Sequence, residues 1–114
     1  MADRIYSFLG LATKAGKIVS GEESCERALK KSLVSLVIVA EDASHNTKKK
    51  FLDACKFRNV EFRIFGQKDI LGKFTGKNIR SVVAILDKSF SKRLVELIDS
   101  SVNNGCGGED IGKD

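Results

Sequence analysis

Leu36-Val37-Ile38-Val39-Ala40 decides how the chain is read, and no apolar run in it is longer. The run has no polar alternation and is rich in β-branched residues. A strand of that kind is covered on both faces, which places it in the middle of a sheet with helices above and below. Residues 79–86, carrying Val82, Val83, Ala84, Ile85 and Leu86, read as a second central strand. Lys17-Ile18-Val19-Ser20 reads as a short strand, and residues 60–65 alternate around Phe62 and Ile64. Between these strands apolar residues recur at helical spacing. Ile5, Phe8, Leu9 and Ala12 form one stripe, with Gly16 as its stop. Cys25, Ala28, Leu29 and Leu33 form another, opened by Ser20 and Glu23 as a capping box. Phe51, Leu52 and Cys55 face inward on a third helix, a short helix is predicted over 68–73, and Phe90, Leu94, Leu97 and Ile98 line the last.

Strands alternating with helices predict an α/β domain, a three-layer α-β-α sandwich with a four-stranded, mainly parallel sheet. The 114 residues are one domain's worth, assigned to 1–102. Residues 103–114 hold Gly105, Gly107, Gly108 and Gly112 and read as a flexible Gly-rich tail. Hydrophobic residues at 42% and charged residues at 31% exclude wholesale disorder. No apolar run approaches the ~20 residues that span a bilayer, so no membrane partner is expected.

Lys and Arg number 20 against 15 Asp and Glu, a net charge of +5. Residues 103–114 hold one lysine and three acids, so the body keeps 19 basic and 12 acidic residues, a net of +7. A small basic body points to a polyanion, and RNA is the usual one for a compact domain. Cys25, Cys55 and Cys106 are odd in number and widely spaced, which is neither a disulfide framework nor a zinc motif, and they fit a reducing, cytoplasmic setting. His45 is the lone histidine, with no nucleophile or second base to join it. The segment from Gly72 to Asn78 fails the phosphate-loop pattern in its spacing and in having Asn78 where a hydroxyl belongs. No catalytic residue, metal site or cofactor is expected.

Two segments join backbone features to charge. The first runs from Lys17 through Gly21, Glu22, Glu23 and Ser24 to Arg27, Lys30 and Lys31. A glycine at a helix start lets a phosphate approach unpaired amides. The second holds Lys68, Ile70, Leu71, Gly72 and Lys73, an apolar pair in a basic loop of the sort that packs on unstacked bases.

Leu9-Gly10-Leu11-Ala12, Val19-Ser20-Gly21-Glu22, Glu41-Asp42-Ala43-Ser44 with Asn46-Thr47, Leu71-Gly72 with Gly76-Lys77, and Ser81-Val82-Val83-Ala84 together resemble the bacterial YlxQ-like ribosomal-protein family. That family belongs to the kink-turn RNA-binding superfamily, and the resemblance covers about residues 5 to 100. It implies a four-stranded mixed sheet, RNA binding at one end of that sheet, and a ribosome-associated setting. The superfamily's binding helix begins G-x-N-E-x-x-K. Here Gly21 matches and Arg27 stands where the lysine does, while Glu23 and Ser24 replace the pair that reads purine edges. Ile70, Leu71 and Gly72 match the segment that covers a flipped-out nucleotide. The reading is a non-catalytic, monomeric RNA-binding protein for structured RNA, of kink-turn or ribosomal type. The alternative is a protein-interaction or assembly module on the same fold with weak or lost RNA binding.

Overall fold

The computed structural model describes residues 2–105. Helices and strands alternate throughout: α1 (Ala2–Lys14), β1 (Ile18–Ser20), α2 (Glu22–Lys30), β2 (Leu36–Val39), α3 (His45–Arg58), β3 (Glu61–Ile64), α4 (Lys68–Phe74), β4 (Val82–Ile85) and α5 (Lys88–Gly105). The strand order is β1-β4-β2-β3. α2 and α3 cover one face, and α1, packed on α4 and α5, covers the other. The three-layer sandwich and the mixed sheet are both present.

The sheet is not mainly parallel. Only β2 and β3 pair in parallel, with Val37 opposite Phe62, while β4 runs antiparallel to both β1 and β2. The cause lies in α4. Arg80 N–H donates to Lys68 O at 3.0 Å, so the chain re-enters the sheet where it left it. β4 must then run back against β2. Alternating strand and helix patterns do not distinguish a helix that crosses the sheet from one too short to do so.

Both expected central strands are fully buried, every residue of β2 and β4 included. Ile5, Leu9, Phe51, Leu71, Leu94 and Ile98 pack against them. Complete burial of such a side chain stabilises by about 1.5–3 kcal/mol. Other expectations fail locally. α2 ends at Lys30 because Ser32 turns left-handed at φ 59°, which leaves Leu33 exposed. Leu52 and Ile64 are also partly exposed, Ile64 because β3 is an edge strand. The capping box does not form. Gly21 is the N-cap of α2, and the Ser20 hydroxyl accepts from Arg80 Nε instead. α5 takes in residues 103–105, the start of the expected tail, and residues 106–114 lie outside the described residues.

Candidate nucleic-acid interface

Three helices start at one end of the sheet. The first is α2. Gly21 holds φ 95° and ψ 150°, and its N–H donates to Val82 O at 3.0 Å. A left-handed φ is strained for any residue with a Cβ, so glycine is required at this corner. The next amides, at Glu22, Glu23 and Ser24, belong to the first turn and have no acceptor within the helix. With no side-chain cap at Gly21, they are open to an anion.

The second is α3. Ser44 caps it, accepting from Thr47 N–H at 3.1 Å. Thr47 Oγ1 then donates to Glu22 Oε2 at 3.1 Å, which ties the α3 start to the α2 start. Lys50 reaches Glu22 at 3.3 Å and Glu26 at 2.9 Å. Its hydrogen bond to Glu26, then that to Glu22, raises the Lys50 pKa above the ordinary lysine value. Two of the acids on α2 are thereby answered by one cation.

The third is α4. Its first amide, Lys68 N–H, donates to Asp42 Oδ1 at 2.9 Å, and Gln67 Nε2 donates to Glu41 Oε1 at 3.2 Å. Glu41 N–H in turn donates to Gly66 O at 2.7 Å. Glu41 and Asp42 are thus engaged in stitching the β2–α3 corner to the β3–α4 corner.

Residues 75–81 complete this end. Gly72 is buried, and a Cβ there would lie 2.4 Å from Asn78 O and 2.8 Å from Ile79 N. The loop therefore lies directly on the α4 backbone, fixed by Lys77 N–H donating to Gly72 O at 2.7 Å. This seats Arg80 beside α2. Its Nε donates to Ser20 Oγ at 3.1 Å and its Nη1 to Ile79 O at 2.7 Å. A Cβ on Gly21 would lie 3.7 Å from Arg80 Nε, so the guanidinium stands against the open start of α2. Ile79 beside it is 59% exposed, a large apolar side chain held next to a fixed cation. A cleft lined by Ser20, Ser24, Thr75 and Lys77 runs alongside.

The predicted residues divide. Gly21, Glu22, Glu23, Ser24 and Lys68 gather at this end. Lys17 does not. Its carbonyl accepts from Leu86 N–H at the opposite end of the sheet, where Lys30 and Lys31 also stand at the close of α2. Arg27 is in the last turn of α2, and Lys73 in the last turn of α4, over the Phe74 ring. Leu71 is fully buried in the core and has no face for a nucleobase, and Ile70 is half-buried. Gly72 acts by admitting the loop behind it. The sequence reading missed Arg80 and Ile79. Their signal was a cation and an apolar residue just before a central strand, visible only once β4 was known to start at the Gly21 end.

Cys25 and Cys55 are buried free thiols whose pKa values are pushed up to about 12 and about 11, chiefly by desolvation. Such thiols are unreactive packing groups. Among the described residues no cluster of potential metal ligands occurs, and no helix is long and apolar enough to cross a membrane.

Residues 3–95 match the model of the ribosomal protein L7Ae/L30e/S12e/Gadd45 family. The chain belongs to this family. It is similar to the RNA-binding protein YlxQ of Bacillus subtilis (strain 168), 38% identical over 94 residues, which cover 82% of this chain and 94% of that protein. It is similar to the large ribosomal subunit protein eL8 of Cenarchaeum symbiosum (strain A), 28% identical over 103 residues, 90% of this chain and 82% of that one. A solved protein of unknown function from Bacillus halodurans C superposes with a TM-score of 0.80 at 39% identity, over 83% of this chain and 96% of that one. A Giardia lamblia 15.5kD RNA binding protein shares the fold, with a TM-score of 0.72 at 19% identity over 90% and 88% of the two chains. The family's relatives are thus named as RNA-binding and ribosomal proteins rather than enzymes.

Proposed function

We propose that the chain is a non-catalytic RNA-binding protein that holds structured RNA, of kink-turn or ribosomal type, at the end where α2, α3 and α4 begin. The observation that carries this reading is the uncapped start of α2 at Gly21 with Arg80 locked against it by Ser20. The amides of Glu22, Glu23 and Ser24 take a backbone phosphate, Arg80 supplies positive charge, and Ile79 packs on an unstacked base. Glu23 accepts but does not donate, so phosphate contacts are kept while purine-edge readout differs from that of the best kink-turn binders. The protein works as a cytoplasmic, ribosome-associated monomer.

Support for the second reading, a protein-interaction module, is the acidity of the same end, where Glu22 and Glu23 open α2 and Glu41 and Asp42 flank the start of α4. Titrating the chain with a kink-turn RNA, a plain duplex and a single strand at two salt concentrations separates the two. RNA binding predicts affinity that falls steeply with salt, with a log–log slope of about −0.9 per duplex phosphate contacted. Absence of binding to all three at low salt rejects the RNA reading in favour of the module.

A further inference from the structure

α2 and α3 run side by side in the same direction, because Thr47 meets Glu22 and Lys50 meets Glu26. From the second contact Lys30 lies four residues on and Phe57 seven, about 6 and about 10 Å along the two axes. Both helices therefore close at the same end of the layer, with Phe57 about 4 Å further along than Lys30 and about 15 Å along α3 from Thr47. Phe57 is 84% exposed there, the most exposed of the large apolar side chains described. Arg58 places its guanidinium 5.8 Å from the Phe57 ring centroid. Lys56 precedes it, and Lys30 and Lys31 end the neighbouring helix. None of these four cations is in an ion pair among the described residues. The nearby acids are engaged elsewhere, Asp53 with Lys49 at 3.2 Å and Glu61 with Arg63 at 3.0 Å.

An uncovered aromatic ring among unpaired cations is the arrangement that stacks a base and holds the flanking phosphates. We propose that Phe57, with Lys56, Arg58, Lys30 and Lys31, is a second RNA site, for a single strand, separate from the Gly21 end. It extends the RNA-binding reading, since a strand leaving a structured RNA would pass along the α2–α3 layer to reach it. Ring stacking fixes the base and is tolerant of sequence. The lysines supply charge without base readout.

The test uses the full chain and an isolated oligoadenylate strand, which lacks the folded RNA shape proposed for the Gly21 end. Phe57→Ala should weaken binding on the order of tenfold, and Phe57→Trp should keep it. Lys30→Ala with Lys31→Ala should flatten the salt dependence. Arg80→Ala should leave the strand's affinity unchanged while reducing that for a kink-turn RNA, which keeps the two sites distinguishable. Three results would overturn the proposal: no strand binding by the parent at low salt, equal affinity in parent and Phe57→Ala, or equal losses for Ala and Trp. An equal loss in Arg80→Ala would overturn the separation of the sites. The exposure of Phe57 leaves the core untouched by the two Phe57 variants.

Discussion

The two ends of the α2–α3 layer carry comparable numbers of cations and use them differently. At the helix starts several charged groups have fixed partners around the open amides of α2. Arg80 is held by Ser20, Lys50 by Glu22 and Glu26, and Asp42 by the Lys68 amide. At the helix ends Lys30, Lys31, Lys56 and Arg58 have no such partners among the described residues, and Phe57 stands in solvent. Fixed donors specify geometry, because their positions are set before the ligand arrives. Unpaired lysines supply attraction that is long-ranged and screened by salt. The first end is suited to one RNA shape, the second to any strand.

The comparison breaks most sharply at Gly72. A Cβ there would lie 2.4 Å from the Asn78 carbonyl oxygen, so the loop carrying Lys77, Ile79 and Arg80 must move. Gly72→Ala should cost about 1–3 kcal/mol in stability, as overpacking does. It should reduce kink-turn affinity more than any single charge removal and leave oligoadenylate binding as it was. Thermal melts and titrations of the same preparation check both halves. A smaller effect is expected for Arg80→Ala, where loss of one positioned cation should reduce structured-RNA affinity about tenfold, against less than twofold for Lys31→Ala on the same RNA. Equal losses would mean that the ends do not differ in kind. An effect smaller than that of Arg80→Ala is expected for Lys50→Ala. This exposed pairing contributes at most about 1 kcal/mol to stability. Its removal leaves Glu22 and Glu26 unanswered beside the α2 start, so RNA affinity should fall a few-fold, and the loss should shrink as salt rises.

Much of the fold was legible because β2 and β4 are apolar on both faces and the helical stripes are clear at Ile5–Ala12 and Phe90–Ile98. The direction of β4 was not, since it depends on where residue 80 returns to the sheet, a contact between segments far apart in sequence. The site was legible in half. Gly21 shows itself as a glycine before a helix, but the charges grouped with it by adjacency in sequence separate along α2, because about 12 Å of helix lies between Glu22 and Lys30. Leu71 was drawn to the site by its basic neighbours, although it is the residue that anchors α4 in the core. Arg80 escaped notice because its partner, Ser20, is sixty positions away.

The central claim is that RNA meets the protein at the open amides of α2 beside Arg80. Amide nitrogen and proton shifts followed through a titration with a kink-turn RNA test it residue by residue. The account predicts the largest changes at Glu22, Glu23, Ser24 and residues 77–80, with the core strands β2 and β4 little moved. Saturable binding that leaves Glu22, Glu23, Ser24 and Arg80 unshifted while other surfaces respond would contradict it.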